Sequence, residues 1–208
     1  MRLFIAADLD GAARTAVADA VERLRARAEQ ERRGAARGVA WVDARNLHLT
    51  LHFLGEIDDA RWPALRDAVA PPLEMVPPRL ALGGWGTFPP HGPSRVIWMG
   101  VKAGTEELAA AHARLGARLR AVGLVPEARP FSAHLTVGRV KSASGLFWLR
   151  VCDAAEAPST RAWTLPACTL FQSQLSPAGP TYRALLAIPF AGAMPQPPES
   201  SLEANRAD

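Results

Sequence analysis

Residues 46–56 read NLHLTLHFLGE, and residues 132–140 read SAHLTVGRV. In the first stretch Leu47, Leu49, Leu51 and Phe53 alternate with His48, Thr50 and His52. A period of two over this length predicts a β-strand with one greasy face and one polar, functional face. The second stretch alternates in the same way around His134 and Thr136. Both contain the tripeptide His-Leu-Thr. With five His and nine Thr in 208 residues, two His-x-Thr pairs arise by chance in roughly 2% of cases. The shared Leu lowers that figure further.

The chain leading into each motif has the same order of signals. Residues 2–8 (RLFIAAD) predict a short buried strand, and Asp10 is placed to cap a helix. The stripe of that helix is Ala13, Val17, Ala20, Val21, Leu24 and Ala28. Residues 95–101 (RVIWMGV) predict another strand, and Thr105 is expected to cap a helix with Glu106 and Glu107 in its first turn. Its stripe is Leu108, Ala111, Leu115, Leu119 and Val122. Strand, helix, then a His-Leu-Thr strand therefore occurs twice. The expected fold is α+β and bilobal. Two pseudo-symmetric units would set antiparallel sheets around a central cleft, with helices on the outside.

Other segments are read more coarsely. Residues 31–38 (ERRGAARG) suggest an exposed basic loop, 58–70 a helix with Pro63 in its first turn, and 70–78 a Pro-rich connector. Strands are expected at 79–85, 163–171 and 181–188, whereas 141–160 gives no clear pattern. Residues 193–208, rich in Pro, Ser and charge, are expected to be a disordered tail. That leaves 1–192 as a single bilobal domain.

The composition is that of an ordinary globular protein: 49% apolar, 21% charged, net charge +4. The mild excess of Arg suits a polyanionic ligand. The Arg cluster at 23–37 is interleaved with Glu22, Glu29 and Glu31 and reads as a solvated face. Cys152 and Cys168 form neither a CxxC pair nor a zinc spacing. No apolar run has the length of a membrane span, and the N-terminus has no signal-peptide core. The expectation is a cytoplasmic monomer with reduced thiols.

His-x-Thr on a strand has a specific physical consequence. Residues i and i+2 project from one face, roughly 6.5 Å apart. Two such strands related by a pseudo-twofold axis offer two imidazoles and two hydroxyls. In-line displacement at phosphorus needs a base for the entering water and an acid for the leaving oxygen, and imidazole can serve as either. A metal site built on His48, His52 and His134 is disfavoured. His48 and His52 would lie roughly 13 Å apart along a strand, and neither motif holds an acidic ligand. Arg139 could take a phosphate bidentately or form an ion pair. Phe131 and Tyr182 could stack on a base or pack structurally. Phe53 has core parity, His52 reads as a core or rim residue, and His91 and His112 are assigned no role.

HLTLHFLGE at 48–56 and HLTVGR at 134–139 resemble the two HxTx motifs of the 2H phosphoesterase superfamily. The wider pattern is similar to its RNA 2′,3′-cyclic phosphodiesterase branch, also called 2′-5′ RNA ligases. RVIWMGV, ARPF at 128–131 and LFQSQLSPAGPTY at 170–182, with Ser173, match it as well. The resemblance implies that His48 is the proton donor to the leaving 3′ oxygen and that His134 is the proton acceptor activating water. Thr50 and Thr136 would hold the phosphate oxygens. It implies a 2′-phosphomonoester product, no metal, no cofactor, and RNA 2′,3′-cyclic ends or small cyclic nucleotides as partners. Reversible 2′-5′ ligation would be a side activity. The alternative is a non-catalytic RNA-end or nucleotide-binding module with the same cleft. Ala133 and Gly138 depart from the family pattern and are expected to loosen the second strand.

Overall fold

The computed structural model describes residues 1–125, 130–141, 146–156, 158–176 and 179–191. Nine strands and four helices follow in the order β1 (Arg2–Asp8), α1 (Gly11–Glu31), β2 (Val39–Trp41), β3 (His48–Glu56), α2 (Trp62–Val69), β4 (Arg79–Phe88), β5 (Val96–Ala103), α3 (Thr105–Ala121), β6 (His134–Val140), α4 (Phe147–Ala154), β7 (Trp163–Thr164), β8 (Ala167–Ser176) and β9 (Gly179–Pro189). The strands form one curled sheet in the order β7-β4-β5-β6-β3-β1-β8-β9, with β2 also on β6. Every pairing between named strands is antiparallel.

The expected duplication is present. β1 pairs with β3 across α1 in sequence, and β5 pairs with β6 across α3. The two halves join along β6, which pairs with β3 at a single position, Leu49 opposite Leu135, and with β2 at Val39, Ala40 and Trp41. Leu49 and Leu135 are each the middle residue of His-Leu-Thr. Their side chains are buried in one cluster with Leu51, Val137, Val17 and Leu24 of α1, and Leu108, Leu115 and Leu119 of α3. The helices therefore cover one face of the sheet, and the His-Thr face is left free. Asp10 caps α1 as expected, accepting from the Ala13 amide at 2.7 Å.

Each motif is followed by an extra residue. Ile5 opposes His52 while Ala6 opposes Thr50, which leaves Leu51 unmatched. Ile97 opposes Gly138 while Trp98 opposes Thr136, which leaves Val137 unmatched. These are β-bulges at equivalent places in the two halves, and each reverses the facing of the residues beyond it. Two expectations are corrected as a result. His52 does not share the face of His48; it is 3% exposed, on the helix side. Phe53 is not in the core; it is 56% exposed, on the cleft side.

Further departures are local. Gly104, at φ 85°, caps α3, and Thr105 is its first residue instead of its cap. Ala35–Gly38 forms a short 3-10 turn with Ala35 buried, where an exposed loop was expected. The unread stretch 141–160 contains α4, whose buried Trp148 meets Trp41 edge-on at 5.6 Å. The expected strand 163–171 is split into β7 and β8 around Pro166, which has no N–H to give a ladder. Gly138 does not loosen its strand. A Cβ there would come within 2.7 Å of Val39 and 3.1 Å of Trp41, so glycine admits β2 against β6. The tail 193–208 lies outside the described residues.

Leu49→Ala and Leu135→Ala remove fully buried side chains at the seam. Each should cost about 2–5 kcal/mol in denaturant unfolding, with an unchanged slope against denaturant concentration.

Candidate active site

Extending the Leu49–Leu135 register by one residue each way sets His48 opposite Thr136 and Thr50 opposite His134. All four are half-buried on the face turned away from the helices. Diagonal partners on neighbouring antiparallel strands are about 7–8 Å apart. The two imidazoles and two hydroxyls thus surround one patch of sheet, with each imidazole diagonal to the other.

The two imidazoles are held identically. Nδ1 of His48 donates to the Asn46 carbonyl at 2.7 Å, and Nδ1 of His134 donates to the Ser132 carbonyl at 2.8 Å. A carbonyl only accepts, so Nδ1 carries the proton in both. Nε2 is the titrating atom, a base when the ring is neutral and an acid when it is cationic. The lead-in to the first motif is pinned by Arg14, which donates to the Ala44 and Leu47 carbonyls at 2.6 and 3.2 Å. Asn46 Nδ2 donates to the Pro180 carbonyl at 2.8 Å, which ties this turn to β9.

Aromatic rings wall both histidines. His48 lies 4.8 Å from Phe4 and 5.3 Å from Tyr182, and Phe4 stacks on Phe171 at 5.2 Å. His134 lies 5.0 Å from Phe88 and 6.3 Å from Trp98. The sequence reading named Tyr182 but missed Phe4, Phe88, Trp98 and Phe171. Their signal was parity: Phe4 alternates with Leu3 and Ile5, and Trp98 with Ile97 and Met99. Phe131 does not join this wall. Its ring stacks on His112 of α3 at 4.4 Å.

Burial pushes the His48 pKa below its ordinary value, and the charges of Arg14 and Arg139 push it further down; the Asn46 carbonyl opposes them. Arg139 projects from β6, exposed, and among the described residues its side chain forms no hydrogen bond or ion pair. Its charge also acts on Tyr182, whose pKa is raised by burial and lowered by Arg139 and Arg2. Arg139 thus reaches the half that carries His48. His52 is a different kind of histidine. It contacts the His112 carbonyl through Nε2 at 2.8 Å, and burial pulls its pKa down to about 4. Among the described residues no three His, Cys, Asp or Glu side chains gather as a metal site. A cavity of about 160 Å³ between α1 and β5, lined by Asp19, Arg23 and Met99 among others, lies on the helix side, away from these groups.

The model of the 2′-5′ RNA ligase superfamily matches residues 13–174. The chain belongs to that superfamily. It is 32% identical over 188 residues to an RNA 2′,3′-cyclic phosphodiesterase of Archaeoglobus fulgidus, covering 89% of this chain and 98% of that protein. It is 28% identical to one of Thermotoga maritima, covering 93% and 98%. The crystal structure of TT0787 of Thermus thermophilus superposes with a TM-score of 0.71 at 28% identity, covering 93% of this chain and all of that one. Apo LigT of E. coli, at 23% identity and a TM-score of 0.65, has the same fold. No described helix is long and apolar enough to cross a membrane.

Arg139→Gln removes a positive charge from the field at His48, so the His48 pKa should rise in an imidazole NMR titration. Unfolded His52 takes up a proton near pH 6.5, whereas the folded residue resists until about pH 4. Stability should therefore fall progressively as pH drops across that window, by roughly 3 kcal/mol in total. His52→Gln should flatten this dependence in thermal melts run at each pH.

Proposed function

We propose that this chain hydrolyses 2′,3′-cyclic phosphate ends of RNA to 2′-phosphomonoesters, with His48 and His134 as its acid and base. The observation that carries this reading is the matched pair of histidines. Both rings are oriented by the same i−2 carbonyl bond, neither Nε2 has a hydrogen-bond partner among the described residues, and both flank one rung of the sheet. Membership of the superfamily and the names of the Archaeoglobus and Thermotoga relatives support the substrate class.

In the proposed reaction His134 Nε2 takes a proton from water as its oxygen attacks phosphorus. The P–O3′ bond breaks, and O3′ takes the proton of His48 Nε2. The products are a 2′-phosphomonoester and a 3′-hydroxyl. Thr50 and Thr136 donate to the non-bridging oxygens from the same face, and Arg139 adds a charge that favours the developing anion. The aromatic walls flank the imidazoles with apolar surface, which strengthens these interactions.

As proton donor, His48 must be cationic although its surroundings favour the neutral ring. An arriving phosphate supplies the opposite charge, so protonation of His48 is coupled to substrate binding. Joining a cyclic phosphate to a 5′-hydroxyl is the same chemistry with another nucleophile. Water at its bulk concentration makes 2′-5′ ligation the minor direction.

The test is to incubate an oligonucleotide ending in a 2′,3′-cyclic phosphate with the protein in EDTA and to identify the product. A 2′-phosphate is expected. His48→Ala and His134→Ala should each lower turnover by about 10²–10⁴-fold while the thermal melt is retained. Binding without product would favour a nucleotide-binding module, and near-full activity in either variant would sink the paired-imidazole mechanism. The alkaline limb of kcat/KM, set by loss of the His48 proton, should lie below the ordinary imidazole value.

A further inference from the structure

Three aromatic rings form a column on the helix side of the sheet. His52 stacks on His112 at 4.1 Å with 18° between planes, and His112 stacks on Phe131 at 4.4 Å with 17°. The lower end, His52, lies four residues beyond His48 on β3. The upper end, Phe131, lies three residues before His134. The middle ring belongs to α3. The column thus runs from one motif-bearing segment to the other through a helix, behind the face where the histidines lie.

Local features build it. The bulge at Leu51 turns His52 toward α3. The His52 ring then reaches the backbone carbonyl of His112 at 2.8 Å. Gly116, one helical turn on, faces the same ring. A Cβ there would come within 3.4 Å of the His52 ring. The same position in the other half is Gly138, which has no ring to offer, so the column has no pseudo-symmetric copy.

The sheet itself joins β3 to β6 at one rung only, Leu49 to Leu135. On one side of that rung β2 continues the pairing along β6, with Trp41, Ala40 and Val39 opposite Gly138, Arg139 and Val140; on the other side, toward His52 and Phe131, no further β3–β6 pair follows among the described residues. We propose that the His52–His112–Phe131 column fastens the end of the seam that β2 does not close and that His112 is a positioning residue, setting the separation of the His48 and His134 side chains. It touches neither substrate nor the reacting atoms. This rests on the acid–base reading of those two histidines.

His112→Ala removes only the middle ring and leaves the backbone carbonyl that His52 contacts. It should lower kcat for a 2′,3′-cyclic nucleotide about 10–100-fold, since a small misplacement of reacting groups is costly. KM should change by no more than about threefold. Amide exchange in β3 and β6 at the seam should quicken while the β8–β9 hairpin is unaffected. His112→Phe should restore both readouts, and His112→Leu should restore neither. Phe131→Leu should behave like His112→Ala and serves if that variant does not fold. Wild-type kcat in a folded His112→Ala protein, unchanged seam exchange, or rescue by Leu as complete as by Phe would each overturn the proposal. The exchange readout needs no turnover. Persistent activity in His48→Ala would instead overturn the acid–base reading, so the two failures are distinguishable.

Discussion

Leu49 packs beneath the sheet opposite Leu135, and the placement of every functional side chain follows from that contact. Strand side chains alternate, so burying these two leucines puts His48, Thr50, His134 and Thr136 together on the other face. A slip of one residue would send the leucines to water and the imidazoles into the core. The free energy that buries the leucines therefore also sets the register of the site. The antiparallel pairing adds the local twofold relation: each histidine faces the other motif's threonine. An arrangement that could serve both sides of a phosphorus atom needs only a duplicated unit and one apolar rung.

The wall around His48 shapes its electrostatics. Phe4 is 3% exposed and packs under His48 with Tyr182 against its edge. Taking an imidazole out of water penalises its cation, and the charges of Arg14 and Arg139 act in the same direction. The site thus combines fixed positive charge with a ring whose cation is disfavoured. An anion reverses that balance on arrival. Threonine at the remaining positions offers a hydroxyl donor without adding a charge that would disturb the imidazoles.

Much of this was legible in the sequence, for reasons that differ by feature. The motif strands, their shared face and the duplicated unit follow from period two and a repeated tripeptide, which are local signals. The cap at Asp10 is equally local. The bulges were not legible, because an extra residue exists only relative to the partner strand. Residues 46–53 alternate without a break, yet Leu51 has no partner on β1. That single unmatched residue exchanged the faces of His52 and Phe53. Helix α4 was missed because it is only about two turns long and its bulky residues find their partner, Trp41, far off in sequence. Gly138 was misjudged for the same reason. Its lack of a side chain is a fault within β6 alone and a requirement once β2 lies across it.

A duplicated unit presents a chemical difficulty, because an acid and a base made from the same residue type need unlike surroundings. The two halves differ at the positions that matter. On β1 the residue paired with His48 is Asp8, whose carboxylate meets Arg14 at 3.5 Å. On β5 the residue paired with His134 is Gly100, which brings no side chain. Beyond the bulges, His52 fills its position by bonding to α3, whereas Gly138 empties its own for Trp41. The backbone symmetry puts both imidazoles at one site, and these substitutions give each a different neighbourhood. The acid–base division proposed for His48 and His134 depends on that loss of symmetry as much as on the symmetry itself.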